Sequence, residues 1–219
     1  KREAKKYQAT ITQYLTSVLI YSIYNANYKN SKRPIKTCIP VNLKKYFPSD
    51  TMSNFFSYIT IVTNKEKIAS FENLMEFVKK EFKEKLTEEE IIKTMSANVK
   101  LGNNLFIKSI PLILKKIIVR LSYMEIRKYT TITYSNIGRI GIIGDYQKYI
   151  DYFLMLIAPE PVEKIKCSSC SFENKMVFTF TSILNSNEIE KFFYEFLKSQ
   201  NIKVEIESNG VLDDISKEN

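Results

Sequence analysis

Two strand-like segments near the C-terminus constrain the fold of this chain more than any other feature. The segments EKIKCSSCSF and KMVFTFTS are rich in the residues that favour strands, and only Glu173-Asn174 separate them. So short a connection predicts an antiparallel hairpin. Elsewhere helical and strand-like patterns interleave without the regular rhythm of βαβ units. The sequence therefore predicts the α/β (α+β) class, with a mixed β-sheet covered by helices.

The other strands are predicted at five places: IKTCIPVNL, FFSYITIVT, YTTITYSN, YIDYFLMLIA and IKVEIES. Since YIDYFLMLIA is apolar along nearly its whole length, we expect this strand to be covered on both sides. The segment IKVEIES alternates strictly between apolar and polar residues, which predicts a closing strand with one buried face.

Helices are predicted by apolar residues at helical spacing and by capping residues. They run from EAKKYQ to near Tyr28, from Ser70 to Lys85, from a Thr87–Glu90 capping box onward, from Asn104 to Lys128, and from Asn187 to Gln200 after a cap at Asn185 or Ser186. Pro111 marks either a kink in the fourth of these helices or its true start. We expect one lobe over residues 1–208 and a frayed tail over 209–219.

The charge of the chain is basic but dispersed. There are 33 Lys and Arg against 24 Asp and Glu, a net charge of +9. Most lysines alternate with glutamates, as in FVKKEFKEKLTEEEIIK, which favours a solvated basic surface over a nucleic-acid site. No apolar run reaches the roughly 18–20 residues that cross a bilayer, and no signal peptide follows KREAKKYQ. We predict a cytoplasmic protein with no membrane partner, and the helical pattern at its very start indicates a fragment of a longer protein.

The residues available for chemistry are few. Histidine is absent, so the usual general base near neutral pH is missing and no catalytic residue is predicted. The CSSC sequence lies on a predicted strand, where residues three apart point to opposite faces, and zinc requires four ligands. We therefore expect no metal site, and Cys38, Cys167 and Cys170 are expected to be reduced thiols.

Three glycines, Gly138, Gly141 and Gly144, stand three residues apart in SNIGRIGIIGDY. No Gly-Lys-Ser/Thr follows them, as a phosphate-binding loop requires. The residues after them are strand-like, so no helix N-terminus is available to a pyrophosphate. The pattern is typical of a bulge, or of a strand edge that another backbone approaches closely.

Four short motifs occur in a fixed order: Thr10-Ile11-Thr12 with Tyr14-Leu15, Pro40-Val41-Asn42-Leu43-Lys44, Asn54-Phe55, and Ser135-Asn136-Ile137-Gly138. Their order and spacing resemble the C-terminal half of alcohol acetyltransferase-like proteins, in the chloramphenicol acetyltransferase and condensation-domain superfamily. Asn42 and Lys44 stand where that family usually has Asp and Arg, so a salt bridge between this pair is lost or altered. The family's His-His-x-x-x-Asp-Gly motif, which carries its general base, lies in the N-terminal half and is not in this chain.

The resemblance implies one lobe of a CoA-dependent acyltransferase-like fold, in which two lobes face each other across a tunnel. The full-length protein would transfer an acyl group to a hydroxyl or amine from acyl-CoA or a pantetheine thioester, which is a co-substrate and not a tightly bound cofactor. This lobe alone would be inactive. The alternatives are a non-catalytic binding module of the same fold and a basic nucleic-acid-binding domain.

The same resemblance implies roles for individual residues. Ser135 and Asn136 would orient a substrate or hold an oxyanion at the tunnel. Gly138 and Gly141 would allow close backbone approach, and Arg139 would attract the phosphates of the carrier. The expected partner is the missing N-terminal lobe, or a second copy of the chain bound through the exposed face of the lobe.

Overall fold

The computed structural model describes residues 1–29, 31–53, 55–127, 130–142 and 144–209. Within these ranges it does not describe the side chains of residues 27, 28, 98, 101, 102, 106, 107 and 124–127. The last strand and helix predicted from the sequence therefore fall inside the described part. The predicted frayed tail, apart from residue 209, falls outside it, as does Asn54 of the third motif.

Five strands form one mixed sheet in the order β2-β1-β3-β4-β5. They are β1 (Ile35–Asn42), β2 (Phe56–Thr63), β3 (Ile132–Arg139), β4 (Ile165–Phe172) and β5 (Lys175–Ser182). β1 pairs antiparallel with β2 and β4 antiparallel with β5, whereas β3 runs parallel to both β1 and β4. Glu173 adopts a φ of 47° between β4 and β5, as tight hairpin turns require. The predicted hairpin and the mixed α+β class are confirmed.

The α-helices precede, separate and follow these strands. They are α1 (Arg2–Lys6), α2 (Ile11–Ile23), α3 (Phe71–Lys85), α4 (Glu88–Asn103), α5 (Leu105–Ser109), α6 (Leu112–Arg127) and α7 (Glu188–Ser199). Short 3-10 turns cover Leu43–Lys45, Lys65–Ile68 and Asp145–Tyr149, and a π turn covers Tyr24–Tyr28. Among the described residues no helix has both the length and the apolar character that a bilayer crossing requires.

The hydrophobic core lies between one face of the sheet and helices α2, α3 and α7. Val18, Leu19 and Ile20 on α2 are completely buried. Burying a side chain of this size contributes about 1.5–3 kcal/mol. Helix α2 packs against both α3 and α7, so it is the central helix of this layer. The ring of Phe71 at the start of α3 contacts Tyr21 edge-on at 5.7 Å, joining the two helices.

The first predicted helix is wrong in one respect, because the chain forms two helices there. Gln8 adopts a φ of 53°, which interrupts the helical path after α1. The hydroxyl of Thr10 then accepts the backbone N–H of Gln13 at 3.2 Å, and the Gln13 side chain accepts the N–H of Thr10 at 2.8 Å. Such a reciprocal capping box fixes a new helix start, and it outweighs the continuous helical spacing of the apolar residues.

The predicted helix over residues 104–128 is also divided. Its first part ends at Ser109, and α6 begins after Pro111, whose carbonyl accepts the N–H of Lys115 at 2.9 Å. Pro111 is therefore the true start of a helix and not a kink, as its missing N–H favours. At the last helix, the side chain of Ser186 accepts the N–H of Glu188 at 3.4 Å, while the helix itself begins after Asn187.

Two predicted strands are wrong. Residues 149–158 form no strand, and Leu154 and Leu156 are 57% and 68% exposed, so this segment is not covered on both sides. Residues 202–208 also form no strand, although Ile202 and Val204 pack against the core. A segment that is rich in apolar residues, or that alternates, can lie against a hydrophobic layer without being a strand. It forms a strand only when a neighbouring strand is available for backbone hydrogen bonds.

Candidate functional site

Strand β3, at the centre of the sheet, presents its candidate residues on two different faces. Ile132 and Tyr134 are buried in the core beneath the helices, and Asn136 follows them on that same face. Ser135 alternates onto the opposite face. The two members of the predicted Ser135–Asn136 pair therefore meet different surroundings.

Both polar atoms of the Asn136 side chain form hydrogen bonds within the protein. Its Nδ2 donates to Oγ1 of Thr12 at 2.9 Å, and its Oδ1 accepts the backbone N–H of Gly138 at 2.8 Å. The pairing of β3 with β4 shifts between Asn136 and Gly138, which leaves Ile137 as the extra residue of a β-bulge. The first and fourth motifs are thus joined directly, because Asn136 links the bulge to the beginning of α2.

The glycines and Arg139 lie at and beyond this bulge. Gly138 adopts a φ of 86°, a conformation that glycine enters at little cost, whereas Gly141 has no positive φ. A Cβ added to either glycine would meet no atom within 4 Å. Within the described chain Gly138 is therefore required by its backbone conformation and not by a close neighbour. Close approach of a partner to Gly138 or Gly141 stays a prediction, as does phosphate attraction by the exposed Arg139.

Ser135 lies on the face of the sheet that α2, α3 and α7 do not cover. Its half-buried hydroxyl makes no hydrogen bond with another described residue. The same face carries exposed apolar side chains of β2. The register of β2 with β1 places Tyr58 beside Pro40 and Val62 beside Lys36 on this face. We call this set the open sheet face; its members are the exposed Phe56, Tyr58 and Val62 and the half-buried Ser135.

The other half of this face is covered by the chain itself. Segment 150–160 crosses β4 and β5, and its backbone carbonyls accept hydrogen bonds from side chains of these strands. Ser168 Oγ donates to the carbonyl of Met155 at 2.5 Å, Cys170 Sγ donates to Phe153, and Thr181 Oγ1 donates to Ile157. The open sheet face is therefore limited to β2, β1 and β3.

A buried charge cluster anchors one end of segment 150–160. Lys166 on β4 is buried, and its Nζ lies 2.5 Å from Oε1 of Glu160 and 3.8 Å from Oε2 of the buried Glu163. The hydroxyl of Tyr123 on α6 donates to the other oxygen of Glu160 at 2.5 Å. The cluster connects α6, segment 150–160 and β4. No sequence pattern predicts this charge cluster, because its members come from three separate segments.

The polar groups beneath β3 are structural. Tyr134 and Ser169 share a hydrogen bond of 2.8 Å in the core, and burial raises the pKa of the Tyr134 phenol. Cys167 faces the helices and Cys170 faces segment 150–160, so the CSSC cysteines point to opposite faces. Burial raises the pKa of both thiols. Among the described residues no three acidic or cysteine side chains come together to hold a metal ion.

The second motif has a local structural role. Oδ1 of Asn42 accepts the backbone N–H of Lys44 at 2.9 Å and so caps the 3-10 turn at Leu43–Lys45. An aspartate could make the same bond, so Asn42 keeps the capping function without its charge.

The sequence model of the protein family described as alcohol acetyltransferase matches residues 1–143. This range contains all four motifs, including the bulge at Asn136–Gly138 and its partner Thr12. A search of curated protein sequences found no match.

Among solved structures, the chain is similar to the epimerization domain from the third module of tyrocidine synthetase B. The TM-score is 0.52 at 13% identity, and the match covers 90% of this chain and 42% of that one. A structure concerning condensation-domain-mediated chain release from the enacyloxin polyketide synthase gives a TM-score of 0.49 at 11% identity, covering 95% and 40%. The first likeness shows a shared fold, and this chain spans about two fifths of the length of that domain.

Proposed function

Because the chain belongs to the alcohol acetyltransferase family, as the match over residues 1–143 shows, we propose that it is the C-terminal lobe of an acyltransferase. The reaction would transfer an acyl group from a CoA or pantetheine thioester to a hydroxyl or amine. The lobe would supply a tunnel wall and contacts to the carrier. It would be inactive alone, since a chain without histidine lacks the base that removes the proton of the acceptor.

The open sheet face is the observation that carries this proposal. Phe56 and Tyr58 are each more than half exposed. Exposed apolar surface of this kind marks an interaction site. It lies on the same face of the sheet as Ser135, the one candidate hydroxyl that the fold leaves available. A second lobe on this face would bury the apolar side chains and enclose Ser135 in a site of low polarity.

Ser135, and not Asn136, is the proposed contact to the reacting groups. The Asn136 amide is already bonded to Thr12 and to Gly138, so it holds the strand in place. A hydroxyl in an enclosed site could donate to the carbonyl oxygen of a thioester as negative charge develops there. Arg139, exposed two residues from the bulge, would attract the phosphates of the carrier over a longer range.

The first test is the sequence of the gene upstream of the codon for Lys1. An upstream lobe with His-His-x-x-x-Asp-Gly supports the proposal, and replacement of its second histidine by alanine should abolish thiol release from acyl-CoA by the full-length protein. A start codon immediately before Lys1, or an upstream motif without its second histidine, contradicts the mechanism. The chain would then be a binding module of the same fold.

The second test uses Ser135→Ala in the full-length protein, with Ser122→Ala on α6 as the matched control. Loss of an oxyanion donor lowers kcat by about 10²-fold, and we expect Ser122→Ala to leave kcat unchanged. An unaltered kcat for Ser135→Ala would remove this residue from the site.

If the chain binds no CoA by calorimetry but binds RNA with a strong salt dependence, the nucleic-acid alternative is correct.

A further inference from the structure

The backbone pairing between β1 and β3 ends partway along the two strands. Both strands are described over their whole length, yet their parallel register contains only Thr37 with Ile132 and Cys38 with Thr133. On its other side, β3 stays paired with β4 as far as Arg139. The C-terminal halves of β1 and β3 therefore lie next to each other without a ladder.

Pro40 explains why the ladder stops. The even-numbered residues of β1 direct their N–H and C=O groups towards β3, as Lys36 shows. Its N–H donates to Oγ1 of Thr131 at 3.0 Å, and its carbonyl accepts the N–H of Thr131 at 2.9 Å. Beyond Cys38, the next bond of a parallel ladder would run from the N–H of residue 40 to the carbonyl of Tyr134. Proline has no N–H, so this bond cannot form.

The missing bond leaves polar backbone groups between the two strands. Tyr134 has no exposed surface, so its carbonyl is shielded from bulk water. The N–H of Asn136 is the next group on the same edge of β3, and the carbonyl of Pro40 faces that edge from β1. We call the place defined by these three groups the β1–β3 gap. Because buried backbone groups are nearly always paired, the gap indicates a ligand that supplies both a donor and an acceptor.

Basic residues lie at the end where the β1–β3 gap opens. Since β1 and β3 are parallel, their C-terminal ends lie at the same edge of the sheet. Lys44 and Lys45 follow β1 in a 3-10 turn, and Arg139 is the last residue of β3. All three are exposed, and none forms an ion pair with a described residue. We call them the basic mouth, since they are available to an anionic group at the end of a ligand.

We propose that the β1–β3 gap binds the pantetheine arm of the acyl carrier, an inference that rests on the proposed function. The arm lies along the gap as an extended chain, and the phosphates of CoA lie at the basic mouth. Cys38 and Thr133 are paired and close the inner end of the gap. The thiol end of the arm therefore turns onto the open sheet face, where Ser135 lies.

The covalent structure of pantetheine matches the groups of the gap. Its β-alanine unit carries an amide N–H and an amide C=O separated by two methylene groups, as a residue of a strand carries the same pair separated by one carbon. The N–H donates to the carbonyl of Tyr134, and the C=O accepts the N–H of Asn136. A peptide strand makes the same two bonds, but it brings no phosphates to the basic mouth.

The proposal is tested by calorimetry of the 219-residue chain with CoA. Pro40→Ala introduces an N–H opposite the carbonyl of Tyr134, so the ladder extends and the gap closes. We expect CoA to bind this variant about tenfold more weakly, and the hydrogen of the new N–H to exchange slowly in the free chain. Pro34→Ala is the matched control, because Pro34 is also half-buried but precedes the other end of β1. We expect it to leave the Kd for CoA unchanged.

Pantetheine without phosphates separates the gap from the basic mouth. Arg139→Gln should weaken CoA binding about fivefold and leave pantetheine binding unchanged. Lys65→Gln removes the same charge at the opposite edge of the sheet and should change neither. In the unaltered chain, pantetheine should shift the NMR amide signal of Asn136 but not that of Thr133, whose N–H points towards β4. This last measurement requires no substitution, so it does not depend on the folding of any variant.

The outcomes separate this inference from the proposed function. CoA binding that is equally strong in Pro40→Ala and Pro34→Ala, or an Asn136 signal that pantetheine leaves in place, overturns the position of the arm and leaves the acyltransferase proposal standing. A chain that binds neither CoA nor pantetheine overturns both. Binding of an unphosphorylated peptide that is tighter than that of CoA would show that the gap takes a peptide strand instead.

Discussion

Replacement of Asn136 by alanine tests whether this residue acts as a structural link. The change removes two hydrogen bonds, one to Thr12 at 2.9 Å and one from the N–H of Gly138 at 2.8 Å. Each contributes about 1 kcal/mol, and the half-buried N–H of Gly138 loses its partner. We expect the free energy of unfolding to fall by about 2–3 kcal/mol, which corresponds to a Tm lower by about 4–12 °C.

A double-mutant cycle isolates the bond between the two motifs. Thr12→Val keeps the shape of the side chain and removes only the hydroxyl, so we expect a loss of about 1 kcal/mol. The double variant Thr12→Val/Asn136→Ala should show a coupling energy of about 1 kcal/mol, because both single changes break the same bond. Urea denaturation followed by circular dichroism gives the free energies, and equal m-values show that the comparison is valid.

Asn136→Asp is the control for this cycle. An aspartate can accept the N–H of Gly138 as asparagine does, and the hydroxyl of Thr12 can donate to it. We therefore expect Asn136→Asp to lose less stability than Asn136→Ala. If Asn136→Ala lies within about 0.5 kcal/mol of the wild type, or the coupling energy is close to zero, Asn136 does not hold β3 to α2, and its amide is available for a substrate.

Three further changes test individual features. Gly138→Ala should lower the free energy of unfolding by about 1 kcal/mol through its positive φ alone, since no atom lies within 4 Å of an added Cβ. Tyr14→Phe should raise stability by about 1 kcal/mol, because the buried Tyr14 hydroxyl has no hydrogen-bond partner among the described residues and burial raises its pKa to about 12. Burial also raises the pKa of Glu190. Between the unfolded and the raised folded pKa, the folded state holds a proton that the unfolded chain has lost. Stability therefore falls as pH rises through this window, and Glu190→Gln should raise Tm at pH 7 but not at pH 4.

Each of these changes has its own contradicting result. Gly141→Ala is the control for Gly138→Ala, since Gly141 has no positive φ, and equal losses would show that the bulge does not impose the conformation. A lower Tm for Tyr14→Phe would show that its hydroxyl has a partner in solution. A stability curve for Glu190→Gln that is parallel to that of the wild type from pH 4 to pH 7 would show that the Glu190 carboxyl is solvated.

The predictions from sequence were most accurate where local rules determine the structure. The β4–β5 hairpin follows from a two-residue connection, and α3 follows from the apolar spacing of Leu74, Val78 and Phe82. Segment 149–158 was predicted wrongly because its bonds come from the side chains of Ser168 and Thr181 on other strands. A run of apolar residues does not indicate which distant side chains will bond to its backbone.

The candidate site was likewise predicted only in its local features. The sequence predicted a polar pair at the end of a core strand, and alternation along β3 sends its two members to opposite faces. The bond from Asn136 to Thr12, 124 residues earlier in the chain, has no local signal in the sequence. The open sheet face could not be predicted either, because its limits depend on where segment 150–160 lies.

The strand order has a consequence for the way the protein folds. β1 with β2 and β4 with β5 are local antiparallel pairs, whereas β1 reaches β3 only across about 90 residues of intervening chain, as the contact between Lys36 and Thr131 shows. Pairings between distant segments cost more loop entropy and form later than local ones. We expect the amide of Tyr134 to gain protection from hydrogen exchange after those of the two hairpins. The strand that carries Ser135 and Asn136 is then the last to be fixed. A slow step in closing the sheet delays the candidate site together with the burial of Ile132 and Tyr134 in the core.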